Sequence, residues 1–276
     1  MLCAGLCFAC GGILCKLVPW SGFAINGVRN ILAAVVTGIY LLARQHKIKL
    51  NLTVVIGALS YTIVTTLFIL ANKLTTAANA IILQYIAPVW IVVMMALFFH
   101  VKPKKLDLIT IAVIFVGIIC FFFDSLSFGG LAGDICAIVS GMFYASLFII
   151  NKMKDSDQLS SIFLGEIISG LLFGWTGFKE TDFSPAVLIA IFLLGVVQIG
   201  IAYIFFAEGT VRTPPVTASL IGVVEPILNP VLVAIFWGEV LKPLSLIGGI
   251  IAITSIAVYS VLQNRQIESE TGRKLT

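Results

Sequence analysis

The feature that most constrains this chain is how little charge interrupts its long apolar runs. Cutting the sequence at charged or turn-rich positions leaves runs at roughly 1–18, 22–43, 52–71, 75–99, 106–123, 130–151, 159–175, 185–207, 213–237 and 243–263. Each is long enough, at 1.5 Å per residue, to cross a bilayer core as a helix. Only 11% of the residues are charged and 60% are hydrophobic, against about a quarter charged in soluble domains. The spacing therefore predicts an all-α integral membrane protein with ten transmembrane helices. A net charge of +4 does not point to nucleic acid, because Lys and Arg fall in short loops rather than along one face. Cys3, Cys7, Cys10 and Cys15 lie in the first run and Cys120 and Cys136 in others, so no disulfide framework or metal site is expected. His46 and His100 stand at loop edges. The first run has no basic lead and no small-residue cleavage site, and reads as a retained helix. Starting at Met1, it is short before Pro19, so residues upstream of it are expected in the native chain.

Loop charge gives an orientation. With the N-terminus inside, the inner loops hold Arg44, Lys47, Lys49, Lys102, Lys104, Lys105, Lys152, Lys154 and Arg212, and the tail holds Arg265, Arg273 and Lys274. The outer loops hold only Lys73, Lys179 and Lys242. Both termini are therefore expected in the cytoplasm. The sequence also repeats. A shift of 138 residues aligns Gly57–Ile118 with Gly195–Ile256 without a gap and matches fourteen pairs, among them Pro88 with Pro226. Five helices per half is an odd number, so the second half enters the membrane in the opposite sense, as an inverted repeat. The expected division is residues 1–125 and 126–263 as two five-helix halves, followed by a solvated tail, 264–276, too charged to require order. Residues 124–130 are too few for a linker, which makes the halves two lobes of one domain.

Within the ninth run stands Glu225-Pro226, followed by Asn229-Pro230, then Gly238-Glu239-Val240-Leu241 and a helix opening at Gly248-Gly249. Proline has no N–H, so the carbonyls of Gly222 and Pro226 lose their helical donors, and the helix is expected to bend or unwind between Gly222 and Pro230. A similar bend is expected near Pro88 in the fourth run. A carboxylate at that depth costs at least about 2.5 kcal/mol by insertion scales. Glu225 either braces the broken backbone or acts as a gating, proton-binding or substrate-contacting group. This ordered set of residues resembles the EamA domain of the drug/metabolite transporter superfamily, and the resemblance spans both halves. The fourth run departs from the pattern: it ends Phe99-His100-Val101-Lys102-Pro103, without the Gly-Glu of the second half.

In the resembled family, helices three, four, eight and nine surround a central cavity, with one and six contributing walls. That resemblance makes Tyr85, Trp90, Tyr144 and Tyr203 candidate lining groups, together with Tyr61. Gln84 and Asn229 join Glu225 as polar candidates, and Pro88, Pro226, Pro230 and Gly222 are the candidate helix-break or gating positions. Arg29 and Glu166 lie about two turns into the second and seventh runs and are nearly superposed by the repeat. Each either braces neighbouring helices or binds substrate; Arg29 would suit an anionic group. Glu208 and Arg212 have i, i+4 spacing and are expected to pair. Trp20, Trp175 and Trp237 lie at run ends, where interfacial belts form.

No ATP-binding loop, nucleophile elbow or His-Glu-x-x-His is present, so neither an enzyme nor a cofactor is expected. What remains is a secondary carrier in the inner membrane of a cell, working by alternating access. It would export a small amphiphilic metabolite such as an amino acid. Proton-linked uptake of a cationic amine such as choline is the alternative, and a channel-like or structural subunit is the alternative of another class. The expected partners are a small-molecule substrate, protons as the candidate coupling ion, membrane lipids, and at most a second copy of the chain.

Overall fold

The computed structural model describes residues 1–75, 77–123, 130–237 and 243–274, with side chains at most of these positions, and within them all regular structure is helical. In chain order the first half contains α1 (Leu2–Ala9), α2 (Gly11–Lys16), α3 (Gly22–Ala43), α4 (Leu52–Leu74), α5 (Ala77–Gln84), α6 (Ala87–Phe99) and α7 (Lys105–Phe122). The second half contains α8 (Leu131–Ile149), α9 (Gln158–Phe173), α10 (Pro185–Leu193), α11 (Ala202–Arg212), α12 (Pro215–Gly222), α13 (Val224–Trp237) and α14 (Pro243–Lys274). A π-helical segment, Leu194–Ile201, joins α10 to α11.

Six stretches among the described residues are long and apolar enough to cross a membrane: Gly22–Ala43, Leu52–Asn72, Asn79–Phe99, Leu131–Lys152, Gln158–Lys179 and Pro185–Arg212. Shorter apolar helices, Pro215–Leu228 and Pro243–Tyr259, accompany them. Large apolar side chains stand on the outside of the bundle, among them Ile39, Leu42, Phe98, Ile109, Leu171 and Ile189. Exposure of that kind is costly in water and suits hydrocarbon, so the chain is a multi-pass membrane protein.

The halves interleave. Helices α3 and α4 pack on α9, α4 also packs on α8, and α3 lies along the π-helical segment. Helix α7 pairs with α14, its counterpart in the repeat. There Gly248 faces the Gly117 carbonyl so closely that a Cβ would collide with it; the absence of side chains lets the two backbones touch. Tyr259 donates to Asp107 Oδ1 at 2.7 Å and Ser245 to the Phe121 carbonyl at 2.8 Å, pinning the two ends of this pair. Asp157 caps α9 by accepting from Ser160 N at 3.1 Å, and its other oxygen lies 2.7 Å from His46 Nε2. The turn after α3 is thereby tied to the start of α9.

Two expectations need correction. The charge of the tail, 264–276, suggests a solvated segment that need not be ordered, yet α14 runs on through Gln263 to Lys274. Its Glu, Gln, Arg and Lys residues are charged or polar but are strong helix formers, so the helix has no reason to stop where the apolar run stops. Trp20 was placed in an interfacial belt. It is instead buried, donating its indole N–H to the Asp182 carbonyl at 2.7 Å and meeting Phe183 edge-on. Glu239 and most of the 124–130 connection fall outside the described residues. Arg212 and Glu208 pair as expected, at 2.9 Å.

Candidate functional site at the paired helix breaks

The fourth and ninth apolar runs are each two helices. Helix α5 ends at Gln84 and α6 begins at Ala87, with Pro88 in its first turn. Helix α12 ends at Gly222 and α13 begins at Val224, with Glu225 in its first turn. Both interruptions are tightened turns: Ile86 N bonds back to the Leu83 carbonyl and Val223 N to the Leu220 carbonyl, three residues earlier. They fall just ahead of Pro88 and Pro226, as the missing N–H groups require, and they are related by the 138-residue repeat.

The two breaks meet. Tyr85, in the first turn, donates its hydroxyl to Glu225 Oε2 at 2.6 Å, and that hydroxyl also lies 3.5 Å from the Gly222 carbonyl, one of those that proline leaves without a donor. Tyr144 of α8 meets the Tyr85 ring edge-on at 6.3 Å between centroids. Glu225 is half-buried, and a Cβ at Gly222 would find no heavy atom within 4 Å. The carboxylate therefore adjoins open space and, among the described residues, has a single side-chain donor. Gln84 points elsewhere: its amide donates to Ser140 Oγ at 2.8 Å, and Ser140 in turn donates to the Val64 carbonyl. Trp90 is partly buried against the aromatic core, with its indole N–H enclosed and unpartnered. Asn229 and Pro230 lie on α13, but their side chains fall outside the described residues.

Arg29 and Glu166 belong to a second polar group, in the packing of α3 against α9 and the π-helical segment. Arg29 donates to Asn26 Oδ1 at 3.1 Å and to Gln198 Oε1 at 3.4 Å. Asn30 binds the Asn26 carbonyl and accepts from the Tyr61 hydroxyl at 2.7 Å. Glu166 accepts from Thr37 at 3.2 Å. The two charged residues do not pair, and among the described residues no carboxylate is within ion-pair distance of Arg29. Arg29 Nε and Glu166 Oε2 are enclosed without partners. Glu166 is fully buried, in contrast to Glu225. Tyr203 stands edge-on to Tyr61 at 4.7 Å and to Phe8 at 4.9 Å.

The sequence reading passed over Asn26, Asn30, Gln198 and Ser140. Asn26 and Asn30 had a visible signal, since with Arg29 they form a polar stripe at i, i+3, i+4 on an otherwise apolar helix. Gln198 had none: the π-helical turn decides which way it faces, and nothing in its apolar surroundings announces that turn.

Comparison with known proteins bears on the family and the fold. The EamA-like transporter family matches residues 1–123 and again residues 131–261. A solved structure described as the crystal structure of a protein superposes with a TM-score of 0.81 at 15% identity, over 96% of this chain and 96% of that one. That likeness concerns the fold alone. No curated protein sequence matches.

Proposed function

The chain belongs to the EamA-like transporter family, and on that premise we propose that it is a secondary carrier exporting a small amphiphilic metabolite bearing an ammonium group, such as an amino acid. The observation that carries this reading is Glu225: a half-buried carboxylate held by Tyr85 where two broken helices meet, beside open space at Gly222. A carboxylate at membrane depth with one donor has acceptor capacity left for an ammonium group or a proton. The Gly222 carbonyl, whose helical donor is removed by Pro226, lies at the same level, within 3.5 Å of the Tyr85 hydroxyl. Ten spans, in two inverted five-helix halves with both termini in the cytoplasm of an inner membrane, fit the loop charges and the repeat. Alternating access follows from that symmetry, with the halves exchanging conformations about the meeting point of the breaks.

A second reading has its own support. Tyr85 and Tyr144 present aromatic rings beside Glu225, and such a flank suits a quaternary amine such as choline, taken up with protons. A thermal-shift screen of the purified protein with amino acids and quaternary amines separates the two. Counterflow in proteoliposomes tests the carrier itself, because substrate on the far side accelerates uptake only when one site alternates between faces. Uptake indifferent to trans substrate would point to a channel-like subunit and end the proposal.

A further inference from the structure

The cation of the second polar group has no anion among the described residues. Arg29 is 6% exposed and its guanidinium stays protonated, yet its acceptors are two neutral amides, Asn26 Oδ1 at 3.1 Å and Gln198 Oε1 at 3.4 Å. Burying a charge on neutral partners alone is expensive. Glu166 does not answer it: that carboxylate accepts from Thr37, eight residues and about 12 Å farther along α3. Two donors are left over. Arg29 Nε and Asn26 Nδ2 are both enclosed and both without an acceptor. Asn26 is held in place, because its Oδ1 accepts from Arg29 Nη2 and from Asn30 Nδ2, each at 3.1 Å, which turns its amide N–H groups away from both. Asn30 is steadied in turn by the Asn26 carbonyl at 2.7 Å and by the Tyr61 hydroxyl. A planar fork and an amide, aligned beforehand and short of acceptors, suit a carboxylate.

The first apolar run connects this group to Glu225. Helices α1 and α2 are separated by a tightened turn at Cys10, whose N–H bonds to the Cys7 carbonyl at 3.3 Å. Before the turn, Gly5 faces the second helix break: a Cβ there would stand 4.0 Å from Glu225 N. After it, Gly11 packs on Gln198, and a Cβ there would stand 3.2 Å from Nε2. The two glycines are six residues apart, so Glu225 and Gln198 flank this run about 9 Å from each other along its axis. An α-amino acid with a hydrogen bond of about 2.9 Å at each end spans roughly that length. Between the two, Phe8 meets the Tyr203 ring at 4.9 Å and Tyr203 meets Tyr61 at 4.7 Å. Gln198 is half-buried at the edge of the group. The turn at Cys10 is a hinge at which α2 can swing off Gln198 and admit a ligand to the enclosed donors.

We propose that Arg29, Asn26 and Gln198 bind the carboxylate of the substrate while Glu225 holds its ammonium group, so that the carrier selects zwitterionic amino acids over amines. The proposal rests on the assignment of the ammonium to Glu225 and adds the opposite end of the ligand. Choline has no anionic group to offer these donors.

The test follows thermal unfolding of the full chain in nanodiscs. Leucine, phenylalanine and threonine are each titrated beside the amine left by removing the carboxylate: 3-methylbutylamine, phenethylamine and 1-amino-2-propanol. At least one acid is expected to raise Tm saturably, with a dissociation constant at least about tenfold below that of its amine, the worth of one charge-assisted hydrogen bond. Arg29→Gln removes that preference by weakening the acid. Because a substitution at so buried a position can fail to fold, Gln198→Glu supplies a second measurement. It sets a carboxylate against Arg29, raises Tm in the absence of ligand, and leaves the acid bound no more tightly than the amine. Equal affinity for acid and amine in the unsubstituted protein overturns the proposal and leaves Glu225 as an amine site. So does a preference that survives Gln198→Glu. Failure of acids and amines alike to bind overturns the Glu225 reading, and this proposal with it.

Discussion

The two helix breaks descend from one repeated unit and now do different things. At the first, Gln84 turns its amide onto Ser140 and its carbonyl against Gly141, where a Cβ would stand 2.5 Å from that oxygen. Ala87, the counterpart of Glu225, is 1% exposed. At the second, Gly222 faces open space and Glu225 is half-buried. Proline interrupts both helices in the same way, so the break itself is a matter of backbone geometry. Chemistry depends on what replaces the missing helical bonds: close packing in the first half, a carboxylate and space in the second.

Substitution of the two glycines sharpens this contrast most. Gly141→Ala forces its methyl into the Gln84 carbonyl and is expected to cost about 1–3 kcal/mol, the usual range for overpacking. Gly222→Ala has room, and is expected to leave Tm unchanged or raise it slightly, since it restricts the unfolded chain. Its methyl enters the space beside Glu225, so transport should fall while stability holds. Thermal unfolding and proteoliposome uptake, measured on both variants, check this. Equal destabilisation at the two positions would erase the distinction between a filled and an open break.

Next in size is Tyr85→Phe, which removes the hydroxyl shared by Glu225 and the Gly222 carbonyl. A hydrogen bond to a charged group contributes about 1.5 kcal/mol or more. Uptake should fall with a smaller change in unfolding temperature, because the loss is at the half-buried break. Ser140→Ala acts at the filled break instead. It is expected to lower stability by about 0.6 kcal/mol, the average for polar contacts between membrane helices, with the affinity for substrate unchanged. A fall in affinity there would extend the site from Tyr85 to the packed side of the first break.

Much of this arrangement was legible before the structure. Pro88 and Pro226 located both breaks, since a missing N–H is a local fact that no tertiary contact restores. Glu225 stood out because a carboxylate in an apolar run needs a reason. The repeat register paired the breaks in sequence, but it could not say that Tyr85 would reach across to Glu225. That contact depends on how the halves interleave, as does the burial of Trp20. Arg29 and Glu166 stand out in the sequence as charges, yet their neutral partners come from α3 and the π-helical segment. In the tail, charge signals solvation but not the absence of order, and its residue types favour the helix that continues to Lys274.

The smallest effect belongs to the surface. Glu208→Gln removes the partner of an exposed Arg212 and is expected to change stability by less than about 0.5 kcal/mol. It serves as a control far from either break, where thermal unfolding should barely move.

The central claim, that the second break carries transport, is tested most directly by the pH profile of counterflow for Glu225→Gln in proteoliposomes, alongside its unfolding temperature. Glutamine keeps the shape and the contact with Tyr85 but cannot exchange a proton. The account predicts a folded protein whose counterflow is lost or no longer varies with pH. A folded Glu225→Gln protein that transports at the original rate with the original pH profile would contradict it, and would reduce the carboxylate to a brace for the broken helix.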